Sequence, residues 1–145
     1  MKDLHSNIYI DQVVGAKVLA STPTPVASDL QDHNSAEIIL GIGIGGITFD
    51  TTNKIEFVVE HSDDDSTYSA VSTDEMLGAG TISGGIVKAL TAAHAAAAVY
   101  RFGYIGGKRY LKVTPTFAGT HVTGTPIMCA IAKGDGISNP QDDQA

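Results

Sequence analysis

Tryptophan is absent from this chain, cysteine occurs once, and aromatic residues make up 6% of it. A lone cysteine excludes an internal disulfide, and Cys129 belongs to no CxxC or Cys/His metal spacing. It alternates with Ile127 and Ile131, so it reads as a small buried hydrophobe and fits a reducing assembly compartment. Without tryptophan there is little material for the stacked-ring platform that sugars favour. No apolar run approaches the ~20 residues of a membrane-spanning helix. The opening MKDLHSNIYI places Asp3 and His5 where a signal peptide would have its apolar stretch, so signal-directed export is not expected. Charge is scarce too: nine basic against 16 acidic residues give a net charge of −7. That balance argues against general nucleic-acid binding, and neither nucleic acid nor membrane is expected as a partner.

What the chain does have is alternation and glycine. Its 145 residues fit one domain. A domain of that size buries roughly 70% of the surface its unfolded chain exposes, enough for a core without staples. Period-2 patterning predicts strands at residues 7–14, 36–43, 54–61, 67–71, 86–90, 98–103, 108–117 and 126–133, with 47–50 extending the second after a glycine break. In the clearest of them Ile55, Phe57 and Val59 point one way and Glu56, Val58 and Glu60 the other. Pro115 lacks a backbone donor, so the 108–117 strand should be an edge there or carry a bulge. Residues 62–66 (SDDDS) read as a tight polar turn. Residues 73–77 allow one helical turn capped by Thr73, and 91–98 (TAAHAAAA) a short helix or a loop. Residues 29–35 and 78–85 read as turns and loop. The expectation is an all-β, antiparallel β-sandwich, jelly-roll-like, with at most one or two short helical turns. Residues 1–133 would form it, with an extended N-terminal arm containing TPTP, and 134–145 a polar flexible tail.

No motif points to catalysis, a cofactor or a metal. The run Gly41-Ile42-Gly43-Ile44-Gly45-Gly46 satisfies G-x-G-x-x-G, but a dinucleotide site needs a helix to begin there. Ile47-Thr48-Phe49 is β-like instead, so the glycines read as a bulge or a close approach of backbones. Asp63, Asp64 and Asp65 could ligate calcium, yet the EF-hand spacing is missing and a solvated turn explains them. The five histidines sit at no zinc spacing, and there is no G-x-S-x-G elbow. The chain is not expected to be an enzyme.

Charge is distributed unevenly. Residues 56–75 hold seven acids and no base, whereas 101–112 hold Arg101, Lys108, Arg109 and Lys112 and no acid. Two solvated strand faces would account for this. So would a self-complementary surface on which acidic and basic patches of neighbouring copies meet. The basic residues, with Tyr104 and Tyr110, are the candidate protein-contact residues.

Several pieces carry a family resemblance: DLQ at residues 29–31, the small-residue strand at 36–43, IEFVVEHSDDDSTYSAV at 55–71, GYIGGKRYLKV at 103–113 and GTHVTGTP at 119–126. Across residues 29–133 the chain resembles small virion proteins of tailed bacteriophages encoded near the major capsid gene. That resemblance implies a head decoration, or cement, protein on the outer shell of the virion, assembled in the host cytoplasm. Its partners would be the major capsid protein and copies of itself, closed by symmetry, for example as a trimer. A tail-, connector- or fibre-associated virion protein is the alternative, and a carbohydrate-binding jelly-roll module a further one.

Overall fold

A computed structural model describes residues 3–137, 140, 141 and 144. Ten strands are present among them: β1 (Ile8–Leu19), β2 (Ser28–Asp29), β3 (His33–Ile42), β4 (Lys54–Ser62), β5 (Ser69–Ala70), β6 (Met76–Leu77), β7 (Ile86–Leu90), β8 (Ala98–Tyr104), β9 (Tyr110–Ala118) and β10 (Thr125–Gly136). They form two antiparallel sheets, ordered β1-β10-β3-β8-β6 and β2-β9-β4-β5, with β7 also paired to β4. No helix among the described residues is long and apolar enough to cross a membrane.

The pairing is nested. β1 pairs with β10, β2 with β9, β3 with β8 and β4 with β7, all antiparallel. The chain is therefore one long ribbon doubled back on itself and rolled into two layers, which is the jelly-roll arrangement. Strands β5 and β6 are short additions, one on β4 and one on β8.

Alternation built this core. Ile55, Phe57 and Val59 of β4, Leu111 and Val113 of β9, and Ile38 and Leu40 of β3 are all fully buried. From β10, Ile127, Cys129 and Ile131 join them, as their spacing predicts. Ile8 and Ile10 of β1 share a face, but Ile10 is exposed, and β1 feeds the core through Val13, Val14 and Leu19. β2 pairs with β9 only at Tyr110 and Leu111, so β9 has a free outer edge at Pro115, where a missing donor costs nothing.

Several boundaries differ from the sequence reading. β1 runs five residues beyond 14, through two register shifts. Such irregularities break strict alternation, so period-2 counting stops short. Residues 47–50 are not a strand. Gly46 lies so close to the β9–β10 loop that a Cβ there would sit 2.2 Å from the carbonyl oxygens of Thr123 and Gly124. The glycine run is thus a close approach of backbones, and no helix follows it. Residues 29–35 are not all turn, since Asp29 and His33 end and begin strands. The turn at Thr73–Glu75 is capped by Ser72 rather than Thr73, with Glu75 completing a capping box. Residues 91–97 form a loop, pinned by His94 between the Gly43 carbonyl (2.8 Å) and the Tyr100 hydroxyl (3.2 Å). β10 extends to Gly136, into the segment expected as a tail. Beyond it, residues 138, 139, 142, 143 and 145 lie outside the described residues. Gln141 and Gln144 bond back to Ser6 and Ile10.

Candidate functional site

At one end of the roll the β2–β3 turn and the β8–β9 loop face each other across an open groove of about 740 Å³. The ladder positions both: β2 and β9 pair at Asp29 and Tyr110, and the Leu30 amide donates to the Arg109 carbonyl at 2.8 Å. Leu30 and Tyr104 are buried at its base, while Leu77 and Ile105 stand exposed on its wall. Glu37, Asp63, Lys108 and Arg109 also line it.

The charged groups are fixed before any partner arrives. Arg109 grips Asp29 with two parallel bonds, Nε to Oδ1 at 2.9 Å and a terminal nitrogen to Oδ2 at 2.7 Å. That contact, chiefly, holds the Asp29 carboxyl below its ordinary pKa. Lys108 pairs with Asp63, which raises the lysine's pKa. The Lys133 ammonium, buried nearby, donates to the Asp29 carbonyl at 3.0 Å and pairs with Asp11 at 2.9 Å. Behind the groove, the Tyr104 hydroxyl accepts from the Lys108 amide at 3.1 Å and contacts His61 Nδ1 at 2.9 Å. Burial raises the phenol's pKa. The Ile105 amide donates to the Glu75 carbonyl at 2.8 Å, tying the β8–β9 loop to the capped turn.

The six candidate contact residues are not one patch. Tyr104, Lys108 and Arg109 line the groove. Tyr104 is buried at the groove's base, because β8 alternation turns its ring into the sandwich. Arg101 projects from the outer face of β8, its side chain 80% exposed, with Glu37 loosely placed at 3.6 Å. Tyr110 and Lys112 lie on the outer face of β9, opposite Leu111 and Val113 as expected. Lys112 pairs with Glu60 at 3.2 Å and sits 3.8 Å from the Tyr68 ring centroid.

The uneven charge thus resolves within one chain. β4 and β9 are neighbours in a register that sets Glu60 opposite Lys112. Each of Arg101, Lys108, Arg109 and Lys112 faces an acid of its own chain. A phosphate backbone would have to displace an internal carboxylate at each of them. The SDDDS turn is likewise self-satisfied. Asp64 accepts from the amides of Thr67 (2.8 Å) and Ser66 (3.0 Å) and from the Ser62 hydroxyl (2.8 Å), which hold its carboxyl far below the usual range. Asp65 accepts from the Tyr68 hydroxyl. No group of three or more His, Cys, Asp or Glu side chains among the described residues is placed to share a metal ion.

Sequence reasoning missed Leu77, Ile105 and Glu37. The first two left a signal, as large apolar residues directly before glycine-rich segments; Glu37 left none, since its place depends on the β3–β8 register. No protein-family model matches this chain, and no curated protein matches it.

Proposed function

We propose that this chain is a structural virion protein of a tailed bacteriophage, docking on the outer capsid shell as a decoration protein that stabilises the head. One observation carries the reading. The DLQ and GYIGGKR segments, which lie far apart in sequence and supply part of the family resemblance, line the same groove. That groove combines exposed Leu77 and Ile105 with a rim of charges already paired. An apolar contact area ringed by satisfied polar groups suits a protein surface. It suits a sugar less, because the groove's one Phe, Tyr or Trp ring, Tyr104, is buried. The partners on this reading are the major capsid protein and further copies of the chain, and its place is the virion exterior after assembly in the host cytoplasm.

The test is addition of the purified chain to expanded capsids that lack it, followed by co-sedimentation and cryo-electron microscopy. Saturable binding at regular outer-shell positions is expected, with at least a tenfold loss of affinity in Leu77→Asp/Ile105→Asp if both side chains are anchors, at ~1.4 kcal/mol per tenfold. Density only at the tail or connector would move the site to the alternative location. Absence of binding to any part of the particle would reject the virion reading.

A further inference from the structure

We propose that the outer face of the β1-β10-β3-β8 sheet is a two-fold interface between two copies of this chain. An antiparallel sheet with one face in water normally alternates apolar inward and polar outward. The other sheet follows this rule more closely: Lys54, Glu56, Glu60, Lys112, Thr114 and Thr116 point outward, interspersed with Val58, Tyr110 and Ala118. On β10 the rule fails. Its outward positions, alternating with buried Ile127, Cys129 and Ile131, are Pro126, Met128, Ala130, Ala132 and Gly134, of which Ala130 is already covered by its neighbours.

The register extends this apolar surface across the sheet. Ile10, Ala132, Glu37 and Gly103 form one cross-strand row, and Gln12, Ala130, Ile39 and Arg101 the next. Met128, Gly41 and Val99 form a third, in which Met128 packs beside Gly41 and Val99 is 71% exposed. Three polar side chains occupy those rows, and the residues between them are small, so the relief is low.

Charge selects a second copy as the occupant. Each chain carries −7, so two copies repel over most of their surface. The three rows carry one acid, Glu37, and one base, Arg101, with Lys17 beside Met128 and Gly41 at the β1 margin, so this face escapes the net negative charge of the rest. The Arg101 side chain is 80% exposed and only 3.6 Å from Glu37, a loose pair free to exchange partners. In a two-fold interface each contact occurs twice with the roles reversed, so Arg101 of each copy can reach Glu37 of the other. A three-fold ring would need two different patches instead.

Size agrees. Four strands at ~4.8 Å spacing and about eight residues at ~3.4 Å give a plan area on the order of 500 Å². Corrugation brings this to the low end of specific interfaces, ~600 Å² per partner, the size of a reversible rather than an obligate dimer. The face is favoured over the β1 edge, because Gln144 bonds both the amide and the carbonyl of Ile10 at 2.8 Å and blocks strand addition there. The groove overlaps one margin of the face at Ser35, Glu37 and Gly103 but does not reach its β10 positions.

The test uses the purified chain alone, so it is independent of capsid docking. Sedimentation velocity from low to several hundred micromolar should show a rise from 15.0 kDa to twice that mass. Ala132→Glu, which places a charge at the centre, should remain monomeric throughout with an unchanged unfolding midpoint. Arg101→Glu, an exposed change that spares the core, should weaken association at least tenfold, and adding Glu37→Arg should restore it. A wild-type chain that stays monomeric, a dimer indifferent to both single substitutions, or an odd-numbered oligomer would overturn the proposal.

Discussion

The Tyr104 hydroxyl lies 2.9 Å from His61 Nδ1, joining the two sheets through the interior of the sandwich. Tyr104 belongs to β8 and His61 to β4, and both are buried. One tautomer lets the tyrosine hydroxyl act as donor here. The hydroxyl donates to Nδ1, the proton sits on Nε2, and Nε2 faces Glu75 Oε1 at 3.8 Å. The same hydroxyl accepts from the Lys108 amide, so a single oxygen connects core, groove and loop.

Replacing that oxygen should therefore be costly out of proportion to its size. Tyr104→Phe keeps the ring but leaves His61 Nδ1 without its partner and the Lys108 amide without an acceptor. Loss of about 1–3 kcal/mol is expected, the usual cost of a buried polar group left unsatisfied. Urea unfolding monitored by far-UV circular dichroism measures it. A midpoint indistinguishable from the parent would show that water replaces the hydroxyl.

Acid should destabilise the fold through carboxylates whose pKa values the fold lowers, Asp29, Asp64 and Glu75 among them. The Arg109 bond lowers the Asp29 pKa, amides of Thr67 and Ser66 lower that of Asp64, and the Ser72 amide lowers that of Glu75. A folded pKa below the unfolded value means that each group stabilises the ionised fold. The contribution is full above the unfolded values, ~3.9 for Asp and ~4.3 for Glu, and is lost as pH falls through the folded ones. Stability should thus be nearly level from about pH 7 to about pH 5 and decline below about pH 4. Asp64→Asn keeps an acceptor oxygen for the turn and removes the titration, so its acid decline should be shallower. Parallel declines in the two proteins would assign the acid sensitivity elsewhere.

The division between what the sequence displayed and what it concealed follows from the range of the interactions. β4, β7, β8 and the inward residues of β10 were legible because alternation is local: each needs only its own side chains to declare a face. The nested pairing was legible as a class, from many short strands between turns, but the partner of each strand depends on register. Register also decided the charged residues. Glu60 and Lys112 are 52 positions apart and look like opposite patches until β4 and β9 are laid side by side. Tyr104 illustrates a different limit. It shares the inward phase of Phe102 on β8, but it stands beside the glycine turn and the basic run 108–112, which drew it into the contact set.

Cys129 should behave as a closed site. It is fully buried in β10, and desolvation pushes its thiol up to about 12. The thiolate is the reactive form, so a disulfide reagent at about pH 8 should leave the folded protein unmodified and titrate one thiol after denaturation. The raised pKa also favours the fold below the unfolded thiol value of ~8.5, an advantage that declines as pH rises toward the folded one. Rapid modification of the native protein would mean that the sheets open far more often than this core allows.

The glycine run supplies the most stringent contrast. A Cβ on Gly46 would lie 2.2 Å from two backbone oxygens of the β9–β10 loop, Thr123 and Gly124, which cannot rotate away as a side chain can. A Cβ on Gly107 would meet nothing within 4 Å. Overpacking of a tight site costs typically ~1–3 kcal/mol, and contact with main chain belongs at the upper end. Gly46→Ala should therefore lower the urea midpoint sharply or prevent folding. Gly107→Ala should leave it within about 0.5 kcal/mol of the parent, as for a surface change that touches nothing. If the two substitutions proved equivalent, the β3–β4 loop would not be held against the β9–β10 loop. The G-x-G-x-x-G run would then need an explanation other than backbone contact.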